Sequence, residues 1–175
     1  MRELGSAFLD FSDGESDVLA VPSLHTIQTV SSQKLAIALN KNWPDERGSL
    51  LNVLVQVNTS GEDSKSGLSD DGELVNLARF IVESCPRLHL RGLMTIGSLS
   101  ESLSGDGNRD FELLKKARDK LQTTLTEQGL DGWGEKGKLV LSMGMSSDFE
   151  AALRAGSDVV RVGTGIFGER AKKAT

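Results

Sequence analysis

Five apolar, β-branched runs recur along this chain, and stretches with helical spacing separate them. The runs are Thr26–Val30 (TIQTV), residues 51–58 (LNVLVQVN), 88–96 (LHLRGLMTI), 139–142 (LVLS) and 159–162 (VVRV). In the second, Val53, Leu54 and Val55 stand together, as expected of a strand covered on both faces. Between the first two runs, residues 33–40 place Leu35, Ile37, Ala38 and Leu39 toward one side, with Ser31 or Ser32 available as N-cap. Residues 71–84 carry Leu74, Leu77, Ala78 and Ile81 at i, i+3, i+4 and i+7. A longer helix over about residues 111–128 aligns Leu113, Leu114, Ala117, Leu121 and Leu125. Ser147 and Glu150 form a capping-box pattern for a short helix that stops near Gly156. Alternation of this kind predicts an α/β architecture with a parallel sheet, because parallel neighbours need long crossovers and helices supply them.

The length, 175 residues, suits one domain. Residues 1–20 show little periodicity and read as an irregular lead-in, with the domain over 21–175. A net charge of −5 argues against nucleic-acid binding through a basic face. Cys85 is the single cysteine, so the chain has neither a disulfide framework nor a thiolate metal cluster, and His25 and His89 lack ligand spacing. No apolar run reaches the roughly 20 residues of a membrane span, and the N-terminus lacks the pattern of a signal peptide. These features predict a cytoplasmic monomer, with the mitochondrion as the other compartment considered.

Two turns carry the chemistry. Ser142-Met143-Gly144-Met145-Ser146-Ser147 follows one run, and its small residues let backbone N–H groups face a ligand. The same pattern also serves an ordinary strand-to-helix turn. Arg161-Val162-Gly163-Thr164-Gly165 follows the next run, where N–H groups and a hydroxyl can converge on a phosphate. A glycine turn also serves tight helix–strand packing; two in succession at strand carboxyl ends favour an anion. Arg161, set inside an apolar run, requires either a carboxylate partner or a ligand. Residues 57–67 (VNTSGEDSKSG) form a polar loop that either lines the same rim or is a solvated surface loop. No nucleophile elbow and no Walker lysine motif is present.

Taken in order, VQVNTSGEDSKSG, GLMTIGS, LSMGMSSDFEAA and VRVGTGIFG resemble the pyridoxal-phosphate homeostasis family, over about residues 21–170. The resemblance implies an alanine racemase N-terminal type of TIM-like (β/α) barrel, incomplete here at about five βα units. It implies pyridoxal 5'-phosphate as cofactor, held at the carboxyl rim without catalysis, and a role in pyridoxal phosphate homeostasis. Carried onto this sequence, the cofactor-binding residues are Ser142, Gly144, Met145, Ser146, Gly163 and Thr164 about the phosphate. Arg161 matches the residue facing the pyridine nitrogen. A cation there keeps that nitrogen unprotonated and makes the ring a poor electron sink. The family's first three strands, including the one whose lysine bonds the cofactor aldehyde, have no counterpart in this sequence. None of its lysines is expected to take that role, as in a truncated barrel. Three other readings stand beside this one: a racemase-like enzyme, which would need an acid/base tyrosine that the sequence lacks, a module for another phosphorylated metabolite, and a fragment without function.

Overall fold

The computed structural model describes residues 6–7, 18–62, 65–102 and 108–168. Strands are β1 (Ser6–Ala7), β2 (Thr26–Val30), β3 (Leu51–Gln56), β4 (Leu88–Met94), β5 (Val140–Met145) and β6 (Val159–Arg161). Helices are α1 (Gln33–Asn42), α2 (Asp71–Ser84), α3 (Leu99–Ser102), α4 (Arg109–Glu127), α5 (Phe149–Arg154) and α6 (Thr164–Phe167). All five strands read from the sequence are present. β1 is additional, and its two residues are too few to show a period. The rest of the segment taken as irregular, apart from residues 18–20, lies outside the described residues.

The six strands are parallel and lie in the sheet in chain order. A doubly wound sheet reverses its order partway; this one does not. Crossovers of one hand therefore place every helix on the same face. The core agrees: Leu74, Leu77, Ile81, Leu114, Leu121 and Leu125 from the helices cluster with Val53, Val55, Leu90, Leu93, Leu141 and Met143 from the strands. Each such side chain contributes about 1.5–3 kcal/mol by leaving water.

The opposite face curls on itself. Ser142 on β5 donates to Gln28 on β2 across 2.6 Å, although two strands separate them in the sheet. In a flat sheet those strands would stand about 14 Å apart. The curl carries register shifts between β2 and β3, β3 and β4, and β5 and β6, where an extra residue bends the strand. At Gly92 the sheet closes tightly: a Cβ there would lie 2.0 Å from the Val140 carbonyl oxygen. The result is an incomplete barrel with a helix-covered outer face and a concave inner face.

Two local readings need correction. In α1 the buried residues are Leu35, Ala36 and Leu39, and Ile37 is exposed, because Ile37 sits about 200° around the helix from Leu35. Ser32 provides the cap. The expected Ser147–Glu150 capping box is absent, since Asp148 occupies the N-cap of α5 and turns its carboxylate to Met145 instead.

At the amino ends of the strands lies a polar chain. His25 Nδ1 meets Thr26 Oγ1 at 2.9 Å, Asn52 Nδ2 meets His25 Nε2 at 3.2 Å, and His89 Nδ1 meets Asn52 Oδ1 at 2.9 Å. Arg91 adjoins it, paired with Glu135 at 2.5 Å.

Candidate anion site at the carboxyl rim

Because the strands are parallel, their carboxyl ends share one rim, and the turns after β5 and β6 are neighbours there. The register shift between Ser142 and Met145 bends β5 as it reaches the rim. Gly144 makes that bend possible. Its φ is +92°, and a Cβ would lie 2.4 Å from the Ala152 Cβ. No other residue accommodates both the angle and the approach of α5.

The two turns meet at one atom. Ser146 Oγ accepts from Gly163 N–H at 3.1 Å and from Gly165 N–H at 3.2 Å. Main-chain donors of the β6 turn therefore converge on an oxygen supplied by the β5 turn, the geometry an anion oxygen would require. Thr164 lies between these glycines and opens α6, with its surroundings exposed to solvent. α5 and α6 have six and four residues, too short to add a substantial dipole, so the amides carry the site.

Two residues before Gly163, Arg161 turns into the curl. Its Nη1 donates to the Ser142 carbonyl at 3.1 Å and to Ser142 Oγ at 3.0 Å, and its Nη2 donates to the Thr95 carbonyl at 2.7 Å. The ends of β4 and β5 thus aim the guanidinium. Burial brings its pKa down from the usual arginine range to about 10, and the Asp148 carboxylate opposes that fall. The group remains a cation at neutral pH, held in partial desolvation that an anionic ligand would offset. Of the alternatives for Arg161, its bonds to Ser142 and Thr95 go to carbonyls and a hydroxyl, and the Asp148 carboxylate acts on it through charge.

All seven residues singled out from the sequence fall in this corner. Ser142, Gly144, Met145 and Ser146 lie on β5 and its turn; Arg161, Gly163 and Thr164 lie on β6 and its turn. Two of them also engage protein partners. The Ser142 hydroxyl, fully buried, donates to Gln28 and accepts from Arg161, so it orients the cation. The Met145 N–H donates to Asp148 Oδ1 at 2.6 Å.

Sequence reasoning did not find Gln28, Thr95 or Asp148. Asp148 is buried and also accepts from Ser102 Oγ at 2.6 Å, tying α3 to the β5 turn. Thr59 and Thr95 share a hydrogen bond of 2.8 Å, joining the loops after β3 and β4. Lys65, its side chain 21% exposed, pairs with Glu62 and donates to the Gly97 carbonyl at 3.0 Å. The loop 57–67 therefore belongs to the rim. Each of these contacts joins residues on different loops, and single-chain periodicity carries no record of them. Among the described residues, no group of three His, Cys, Asp or Glu is placed to hold a metal ion.

This combination, a chain-ordered parallel sheet curled toward a barrel with backbone donors at its carboxyl rim, defines a class. The family described as the alanine racemase N-terminal domain matches residues 8–171, and the chain belongs to it. Within it, the sequence is similar to pyridoxal phosphate homeostasis proteins. The human protein of that name is 44% identical over 162 residues, which cover 90% of this chain and 56% of the human one. The chain thus spans about half the length of the curated relatives it matches. A solved protein of unknown function from Bifidobacterium adolescentis superposes with a TM-score of 0.68 at 36% identity, covering 87% of this chain and 57% of the other. PipY of Synechococcus elongatus, solved with pyridoxal phosphate bound, superposes with a TM-score of 0.62 at 26% identity, covering 83% and 61%.

Proposed function

We propose that this chain binds pyridoxal 5'-phosphate by its phosphate end and serves to hold and release it in pyridoxal phosphate homeostasis. The observation that carries the reading is the convergence of Gly163 and Gly165 N–H on one oxygen, two residues from a half-buried, carbonyl-tethered Arg161. The fit is good at the phosphate end: two amides, the Thr164 and Ser146 hydroxyls and an exposed approach. Bound pyridoxal phosphate supplies an aldehyde and an electron-withdrawing ring. Arg161 works against the second of these, because a fixed cation disfavours protonation of the nitrogen beside it. Ser142 and Thr95 hold that cation in place. Holding rather than transforming is therefore the chemistry these residues support. The pyridoxal phosphate named for PipY and for the homeostasis relatives points the same way.

The aldehyde end is different. Lys65 is at the rim, but Glu62 and the Gly97 carbonyl engage it, and the other described lysines lie on helices or in the turn region 136–138. Binding by this chain is accordingly noncovalent. Titration of the protein with pyridoxal phosphate, followed by absorbance, is expected to show saturation. Borohydride treatment and peptide mapping are expected to find no single modified lysine. Arg161→Ala and Thr164→Val are expected to weaken binding by about ten- to a hundred-fold each, the loss of a charge-assisted hydrogen bond of about 1.5–3 kcal/mol. Absence of saturation in the wild type would overturn the reading; a stoichiometric lysine adduct would overturn its noncovalent part.

A further inference from the structure

Gln28 is 3% exposed and sits at the middle of β2, on the inner face of the curl. Its Oε1 accepts from Ser142 Oγ at 2.6 Å, and the same Oγ accepts from Arg161 Nη1 at 3.0 Å. The order of donors along this line is set: guanidinium to hydroxyl, hydroxyl to amide carbonyl. One side of Arg161 thus depends on the far wall of the curl, 114 residues away from Ser142 in sequence. The other half of the amide is different. Gln28 Nε2 has no hydrogen-bond partner among the described residues. Among the described residues the one fully buried side-chain polar atom without a partner is Asn108 Nδ2, so Gln28 Nε2 is not sealed in the core and stays open to an acceptor on the concave face.

We propose that Gln28 is a second recognition residue of the rim site: its carbonyl positions Arg161 through Ser142, and its amide N–H groups take a hydrogen-bond acceptor on the ring edge of the bound phosphorylated heterocycle. The recognition half rests on the functional reading above; the positioning half does not. The amide N–H groups favour a ring edge presenting an acceptor, an unprotonated ring nitrogen or a ring oxygen, over one presenting N–H. A phosphate alone reaches only the turns.

Two variants separate the halves. Gln28→Leu removes both the carbonyl and the amide; Gln28→Glu keeps an acceptor for Ser142 but has no N–H. Pyridoxal phosphate affinity is measured by absorbance titration, inorganic phosphate by its competition, and the exposure of Arg161 by its rate of phenylglyoxal modification, mapped by peptide mass in ligand-free protein. Gln28→Leu is expected to weaken pyridoxal phosphate about ten-fold, leave the inorganic phosphate constant within two-fold, and speed Arg161 modification several-fold. Gln28→Glu is expected to restore the slow modification without restoring affinity. The proposal is overturned if Gln28→Leu leaves affinity and modification rate at wild-type values, or if it weakens both ligands equally alongside a lowered melting temperature. Failure of the wild type to bind pyridoxal phosphate removes the functional reading and the recognition half, and the modification rates still decide the positioning half.

Discussion

At the scale of single residues, the rim is held by a few polar side chains that each serve two segments. Asp148 is the clearest. Buried, it accepts from Met145 N–H and from Ser102 Oγ, both at 2.6 Å, and its charge bears on Arg161. Asp148→Ala leaves two donors without an acceptor, and we expect a loss of about 2–4 kcal/mol in urea denaturation. Asp148→Asn keeps one acceptor and should recover part of it. Ser146 contrasts with it. The amides it accepts from belong to exposed glycines that water can reach, so Ser146→Ala should cost less than about 1 kcal/mol in the same measurement.

At the scale of elements, the bend of β5 decides where the site stands. Gly144→Ala puts a Cβ 2.4 Å from Ala152 on a backbone with φ of +92°. The expected cost is about 2–4 kcal/mol, with reduced phosphate binding as the turn shifts, checked by denaturation and by phosphate competition. Sequence patterning reached this scale well. Leu74, Leu77, Ala78 and Ile81 are the buried face of α2, and the five runs are strands, because burial on one face imposes a period the chain must display. It failed where the period is broken or too short: the two residues of β1, the outward Ile37, and the α5 cap, where a tertiary demand on Asp148 displaced the local Ser–Glu pairing. The glycine turns were legible because their composition departs from every regular element. Gln28 was not, since one polar residue inside TIQTV shows its purpose only when Ser142 arrives from the opposite end of the chain.

At the scale of the whole molecule, the curl has a carboxyl rim with the candidate site at one end and a polar cluster at the other. Among the polar-end groups, His89 is held below its ordinary pKa of 6.5 chiefly by desolvation, with the Arg91 charge adding to that, while Gly134 and Glu135 act oppositely. A histidine with a lowered folded-state pKa binds fewer protons folded than unfolded, so stability rises with pH through that window. As pH falls below about 6.5, this contribution is lost, and melting temperature is expected to decline. His89→Gln should flatten that slope in a pH series of thermal melts. Ligand linkage acts from the other end: pyridoxal phosphate at a hundred times the wild-type Kd should add about 2.7 kcal/mol to the unfolding free energy, seen as a raised melting temperature, and Arg161→Ala should cut that gain to about 0.4–1.4 kcal/mol at the same concentration.

The shared hydroxyl of Ser146 carries a consequence for traffic. Because Gly163 and Gly165 already point at an oxygen, a phosphate bound as proposed would swap one oxygen for another on arrival and hand the place back on departure. Neither event requires the scaffold to assemble or come apart. On the proposed function, loading and unloading would meet a low kinetic threshold, the trait of a courier rather than a vault.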